Sequence, residues 1–147
     1  MTYVMISIRA ATKSDVRALC ALDLVARENT ERQELIRRSV ASGLCFVVET
    51  GAGQIAAYGV LSHTFFRHGF VEMLYVDSDF RRQGCGTALL RHMAKTCRSP
   101  KLFASTNASN PAMQSLLEKE GFRKSGVIHN LDEDDPELVY FKLLGEP

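Results

Sequence analysis

Val76-Asp77-Ser78-Asp79-Phe80-Arg81-Arg82-Gln83-Gly84-Cys85-Gly86-Thr87-Ala88-Leu89-Leu90 carries the chain from an apolar strand, through a basic loop with two glycines, into a helix. The apolar period changes here. Beyond Asp77 the residues Gly86, Leu89, Leu90, Met93, Ala94 and Cys97 recur at i, i+3, i+4, i+7, i+8 and i+11, the signature of a helix with one buried face. Glycines let a backbone approach a ligand closely and turn successive N–H groups inward at the positive end of a helix. Arg81, Arg82 and Thr87 add charge and a hydroxyl, so the segment is built for a phosphate-like anion. Two familiar phosphate loops do not fit. No Lys-Ser/Thr follows the glycines, and Gly84-x-Gly86-x-x-Leu89 lacks the third small residue of a dinucleotide fingerprint. The remaining pattern is R-x-x-G-x-G.

The elements on either side can be read outward from this loop. Upstream, Leu44 to Thr50 and Ile55 to Phe66 flank the turn Gly51-Ala52-Gly53, and Arg67-His68-Gly69 leads into a strand from Phe70 to Asp77, an antiparallel meander. Before it, Met5 to Ala10 alternates as a strand. Thr12 and Asp15 form a capping-box signal ahead of the row Val16, Leu19, Leu22 and Val25. A second helix spans about Thr30 to Ser42 and stops at Gly43. Downstream, Lys101 to Thr106 reads as a strand, and Asn110-Pro111 caps a short helix that Gly121 ends. Phe122 to Ile128 and Leu138 to Leu144 then form two strands joined by the acidic segment Asn130 to Glu137. The expected order is β-α-α-β-β-β-α-β-α-β-β.

The 147 residues, 46% hydrophobic and 24% charged, suit one compact domain over residues 1–147, with a core that needs no metal or disulfide staple. Eighteen Lys+Arg against seventeen Asp+Glu leave a charge of +1, which argues against nucleic acid or an anionic membrane as partner. Cys20, Cys45, Cys85 and Cys97 form no C-x-x-C pair and suit reduced thiols. The apolar run Met1 to Ile8 is short and lacks a basic leader, and no stretch approaches the ~20 residues of a membrane span. A cytoplasmic protein without a metal cluster is expected.

With Arg81, Gly84 and Gly86 in place, the chain resembles the GNAT acyltransferase superfamily, whose diphosphate loop has the form Q/R-x-x-G-x-G/A after a central strand. The likeness covers nearly the whole chain. Ile8-Arg9-Ala10-Ala11-Thr12-x-x-Asp15-Val16 is similar to the family's first strand and helix start, and Asn110-x-x-Met113-x-x-Leu116-Leu117-x-x-x-Gly121-Phe122 to its N-x-x-A-x-x-L-Y-x-x-x-G-F segment. The resemblance implies an α/β GNAT fold, a mixed central sheet of about seven strands with four helices. It implies transfer of an acetyl group from acetyl-CoA to a primary amine by direct attack in a ternary complex. The loop residues Arg81, Arg82, Gln83, Gly84, Cys85, Gly86 and Thr87 would anchor the diphosphate. The pantetheine would hydrogen-bond backbone from Leu74 to Val76, with Phe103 to Thr106 as the partner strand, and Asn107 and Asn110 would add contacts.

One position departs from the family pattern. Leu117 stands where the family often has a Tyr that protonates the departing sulfur. A thiolate with a parent pKa near ~8.5 leaves more readily than an amine of ~10, so the loss is tolerable, and Ser115 or water could substitute. The base is read from strand alternation. Glu72 shares a face with Phe70, Leu74 and Val76, where desolvation would raise its pKa toward a useful value. His63 offers an alternative relay. Asp132, Glu133, Asp134, Asp135 and Glu137 would attract an acceptor that is itself cationic. The competing readings are a non-catalytic acyl-CoA-binding or regulatory module, and a nucleotide-phosphate binder without CoA. Exposed strand edges would suit a homodimer.

Overall fold

In a computed structural model, residues 5–145 are described; Met1 to Val4 of the apolar N-terminal run and the last two residues lie outside them. Seven strands form one mixed sheet, β1 (Ile6–Ala10), β2 (Cys45–Thr50), β3 (Ile55–Phe65), β4 (His68–Val76), β5 (Lys101–Asn107), β6 (Arg123–Ile128) and β7 (Glu137–Leu143). Four helices connect them, α1 (Val16–Leu22), α2 (Thr30–Ala41), α3 (Cys85–Thr96) and α4 (Pro111–Lys119). The sheet order is β1-β2-β3-β4-β5-β7-β6. The element order is the one expected from the sequence, and β4 and β5 form the parallel pair.

The chain folds into two compact units, Met1–Leu61 with Glu72–His92, and Ser62–Val71 with Met93–Pro147. In the first unit α1 and α2 pack on β2 and β3. Leu19, Ile36, Cys45, Val47, Tyr58 and Val60 form the buried cluster, with Met73 and Tyr75 of β4 against it. A fully buried Leu or Ile contributes about 1.5–3 kcal/mol, so this cluster is the unit's main source of stability. The entry to α1 is a single 3-10 turn, Lys13–Asp15, in which the Asp15 carboxylate accepts the Thr12 N–H at 2.7 Å. The same carboxylate takes two hydrogen bonds from Arg9, at 2.7 and 3.0 Å, which ties β1 to the helix entry.

Two sequence expectations shift here. α1 ends at Leu22, so Val25 leaves the apolar row and is 48% exposed, beside Leu24 at 64%. The Asp23 side chain accepts the N–H groups of Val25 and Ala26 and turns the chain out of the helix. The β3–β4 turn is Phe66-Arg67, one residue before the expected position, and both residues have positive φ, 50° and 68°. His68 and Gly69 already belong to β4. The start of α2 also gains a cap that the sequence pattern does not announce, because the Asn29 side chain accepts the Arg32 N–H at 2.9 Å.

In the second unit β5 pairs with β7 along its whole length, from Lys101↔Leu143 to Asn107↔Glu137. Asn110 caps α4 as expected, its side chain accepting the Met113 N–H at 3.1 Å, with Pro111 as first helical residue. Leu102, Ala104, Leu117, Phe122 and Tyr140 are buried. Phe65 stacks on Phe70, and Phe103 meets Phe65 and Phe141 with tilted rings, a row that crosses β3, β4, β5 and β7. The edge strand β6 is exposed throughout, and its pairing with β7 is broken by a register shift between Lys124 and Gly126.

Candidate active site

The first unit holds the anion loop and the strand that leads to it. β4 ends at Val76, Asp77 ties back to β3 through its N–H on the Ala56 carbonyl at 2.9 Å, and Ser78–Phe80 make a 3-10 turn. The loop then takes two left-handed residues, Arg82 at φ 62° and Gly84 at φ 85°. Nothing lies within 4 Å of where a Gly84 Cβ would stand, so glycine serves the backbone conformation there rather than a tight contact. The α3 ladder opens with the Ala88 N–H on the Gly84 carbonyl at 3.0 Å. The amides of Cys85, Gly86 and Thr87 therefore head the helix without an intrahelical acceptor. They are the donors an anion would use.

Around these amides Arg81, Arg82 and Gln83 are exposed, and Thr87 is half-buried. The Gln83 side chain donates to the Asp79 carbonyl at 3.5 Å. Cys85 is buried, and that burial pushes its thiol up, so only its backbone is available to a ligand. The helix head does not make it a reactive thiolate.

Glu72, Leu74 and Val76 lie on β4 just before this loop. The ladder between β4 and β5 is limited to Gly69↔Leu102, Phe70↔Phe103 and Val71↔Ala104, although both strands run on. From Glu72 onward β4 has no such partner on that side among the described residues. Backbone groups at Leu74 and Val76 are thus available on that edge. Glu72 is exposed where the desolvated setting was expected, and it stands just past Val71, the last β4 residue in that ladder.

The second unit holds the remaining expected residues, with reassigned partners. The Asn107 amide donates to the Asp132 carboxylate at 2.8 Å and to the Asp135 carbonyl at 3.4 Å. Its side chain thus fastens the acidic segment instead of standing free. Asp135 accepts the Ser109 N–H at 3.0 Å and the Ser109 hydroxyl at 2.6 Å, which leaves Glu133, Asp134 and Glu137 as the carboxylates of the segment not used in this lacing. The segment lines a depression of about 450 Å³ together with His129. Leu117 is wholly buried and Ser115 exposed, so α4 offers no buried hydroxyl at the family's acid position. His63 accepts the Arg98 N–H on Nε2 at 3.0 Å, and its Nδ1 is buried without a hydrogen-bond partner among the described residues. Among the described residues no group of His, Cys, Asp or Glu could hold a metal ion, and no helix is long and apolar enough to cross a membrane.

One network in the first unit has no counterpart among the sequence expectations. The buried Asp23 carboxylate accepts the Tyr58 hydroxyl at 2.5 Å and Arg32 Nη1 at 2.7 Å, besides the two amides. Burial pushes this carboxyl up, but the bonds from Tyr58 and Arg32 outweigh it and hold it below its ordinary value. Tyr58 stacks on Tyr75 with ring centres 6.1 Å apart, and the Tyr75 hydroxyl accepts the Leu24 N–H at 3.2 Å. The partners lie 9, 35 and 51 residues apart, beyond the reach of any local pattern.

The helix head, whose first amides lack intrahelical acceptors, and the two arginines lie directly after β4 in the chain. A model of the acetyltransferase (GNAT) family matches residues 13–122, and the chain belongs to that family. An acetyltransferase of the GNAT family from Bacillus cereus ATCC 10987 is 30% identical, with a TM-score of 0.88 over 95% of this chain and 97% of that one. The yncA protein of Salmonella typhimurium, solved with its cofactor acetyl-CoA, shares the fold at 18% identity, with a TM-score of 0.78 over 97% of this chain and 96% of that one. The Cysteine-rich protein 2-binding protein of Homo sapiens is 31% identical over 75 residues, 50% of this chain. That match spans only 10% of the human protein's length.

Proposed function

We propose that the protein transfers the acetyl group of acetyl-CoA to a primary amine by direct attack. The observation that carries this reading is the head of α3, where the amides of Cys85, Gly86 and Thr87 follow left-handed Arg82 and Gly84. The CoA diphosphate fits these donors and the charges of Arg81 and Arg82. The pantetheine fits the unpaired edge of β4, with its amides meeting backbone at Leu74 and Val76. Asn110, already the cap of α4, is retained as a further contact. Acetyl-CoA in the yncA structure supports this cosubstrate.

The chemistry follows from what these groups can do. The acceptor enters as an ammonium of pKa near ~10 and must lose a proton before its nitrogen can attack. Glu72 takes that proton, directly or through one water. The nitrogen lone pair then forms the C–N bond at the thioester carbon, and the carbonyl electrons move onto oxygen. A backbone N–H near Leu74 holds this oxyanion. Collapse breaks the C–S bond, the nitrogen gives up its second proton to water, and the products are an acetamide and CoA thiolate. With Leu117 buried and without a hydroxyl, the thiolate leaves unprotonated or takes its proton from water.

The acceptor is further proposed to be cationic beyond its reacting amine, since Glu133 and Asp134 add negative charge without local partners. The test of the central reading has two stages. At about 100 times its dissociation constant, acetyl-CoA should add ~2.7 kcal/mol, seen as several degrees in melting temperature. Release of CoA in the presence of an amine panel should then show turnover. An unchanged melting curve would defeat the reading. A melting shift without turnover on any amine would favour the non-catalytic CoA binder.

A further inference from the structure

The sheet of the second unit has two faces that differ in cover. Alternation along β5 and β7 sends Leu102, Ala104 and Tyr140 to one of them, where all three are wholly buried. The other face carries Phe70, Phe103 and Phe141, each half-buried, and Leu143, which is 56% exposed. Register orders this second face into four rows across the strands. Glu137 stands beside Asn107 and Ile128, and Val139 beside Ser105 and Gly126. Phe141 follows beside Phe103 and Arg123, and Leu143 closes the series beside Lys101. The rows therefore run acidic, small, large and basic. Among the described residues Glu137, Lys101 and Arg123 have no ion-pair partner, and the Arg123 guanidinium rests over the Phe141 ring at 5.2 Å.

We infer that this face binds the same face of a second copy of the chain, about a two-fold axis that lies between the two sheets, across the strands, midway between the small and the large row. A two-fold operation makes every contact twice, so a surface that pairs with itself needs complementary halves. The row order supplies them. Turning one copy about this axis sets Phe103 and Phe141 against Ser105 and Val139 of the other, large on small, as two sheets pack face to face. It also sets Glu137 against the Leu143 row of the second copy, with Lys101 one strand away and Arg123 one row away. An acidic partner would satisfy only the basic end of the face, and a basic partner only the acidic end. β5 and β7 are seven residues long, so the face measures about 20 Å in each direction, roughly 400 Å² per copy before side-chain relief. That size belongs to the weak end of specific interfaces, and the pair forms at micromolar concentration or above. The contact uses no strand backbone, unlike an edge-to-edge dimer, and does not rest on the acetyltransferase reading.

Sedimentation velocity of the full chain between about 1 and about 200 μM should show the average mass rising from one chain toward two. Glu137→Lys leaves only cations in the two outer rows, and Lys101→Glu with Arg123→Glu leaves only carboxylates. Each of these variants alone should dissociate about tenfold more readily than the wild type, because like charges then meet across the axis. Mixed in equal amounts, the two should form a heterodimer about as tight as the wild-type pair, a result that a misfolded variant cannot give. Ser105→Phe puts a large side chain into the small row and should weaken the wild-type pair by a similar factor. A wild type that keeps the mass of one chain at the highest concentration leaves the face to another occupant and overturns the inference. A dimer that the charge variants and Ser105→Phe all leave unchanged overturns it as well and moves the contact to the β6 edge.

Discussion

Asp15 and His63 each titrate away from their ordinary range, and both do so by staying in the form their hydrogen bonds require. The Arg9 guanidinium, together with the Thr12 groups, lowers Asp15 from 3.8 to about 2 against the upward push of burial. Its stabilisation is complete above pH 3.8 and is lost as the pH falls toward 2, a difference of about 2 kcal/mol for a carboxylate that is 11% exposed. Burial lowers His63 below 6.5, helped by the charge of Arg98, and the neutral ring is the form whose Nε2 accepts the Arg98 amide. Below pH 6.5 the unfolded chain binds that proton first, so stability declines from there to the lowered value. Urea unfolding against pH should show both falls. Asp15→Asn should remove the lower one and His63→Gln the upper one. Glu72→Gln probes chemistry instead: turnover should drop by about 10²–10⁴ with the acetyl-CoA melting shift intact, and the deficit should shrink as rising pH supplies free amine. Undiminished turnover of this variant below pH 7, with chemistry rate-limiting, would place the base elsewhere.

The β3–β4 hairpin makes its turn with Phe66 and Arg67, both left-handed, at positions where two-residue turns favour Asn and Gly. The left-handed conformation costs a non-glycine residue roughly 1–2 kcal/mol. Phe66 is 82% exposed and recovers little of this through its edge-on contact with Phe65 at 5.1 Å. Phe66→Asn with Arg67→Gly should therefore raise stability by about 1–2 kcal/mol, read as a higher urea midpoint at unchanged slope. This turn also shows why sequence places most elements but not all their ends. Gly43 and Gly121, at φ 78° and 89°, end their helices where glycine signals predict. Phe-Arg carries no turn signal, so the hairpin reads one residue late. The start of α3 and the Asn110 cap are legible because their cause is local. Asn107 is not, since its partners are Asp132 and Asp135, in a segment 25 residues or more away. For the same reason the exposure of Glu72 is hidden from the sequence, because alternation assigns a strand face but not where the neighbouring strand stops pairing.

A net charge of +1 gives the molecule no overall pull on a charged partner, so any electrostatic steering has to be local. Glu133 and Asp134 are the residues to test, because Asp132 and Asp135 also lace the segment to Asn107 and Ser109. Glu133→Gln with Asp134→Asn should lower kcat/KM for a polyamine more than for a monoamine. The gap should close as salt shortens the screening length from about 10 Å at 0.1 M toward 3 Å at 1 M. Equal effects on both acceptors would remove the segment from the specificity argument. The far end of the sheet bears on how the chain behaves in a crowded solution. β6 leaves one side of its backbone unpaired, with Val127 and Ile128 half exposed, the kind of strip on which foreign strands assemble. Its bulge around Ser125 interrupts the even spacing of donors and acceptors, and Arg123 and Lys124 put like charges beside any copy stacked in register. The exposed border is thus a poor seed for fibrillar growth, and its protection lies within six residues of sequence.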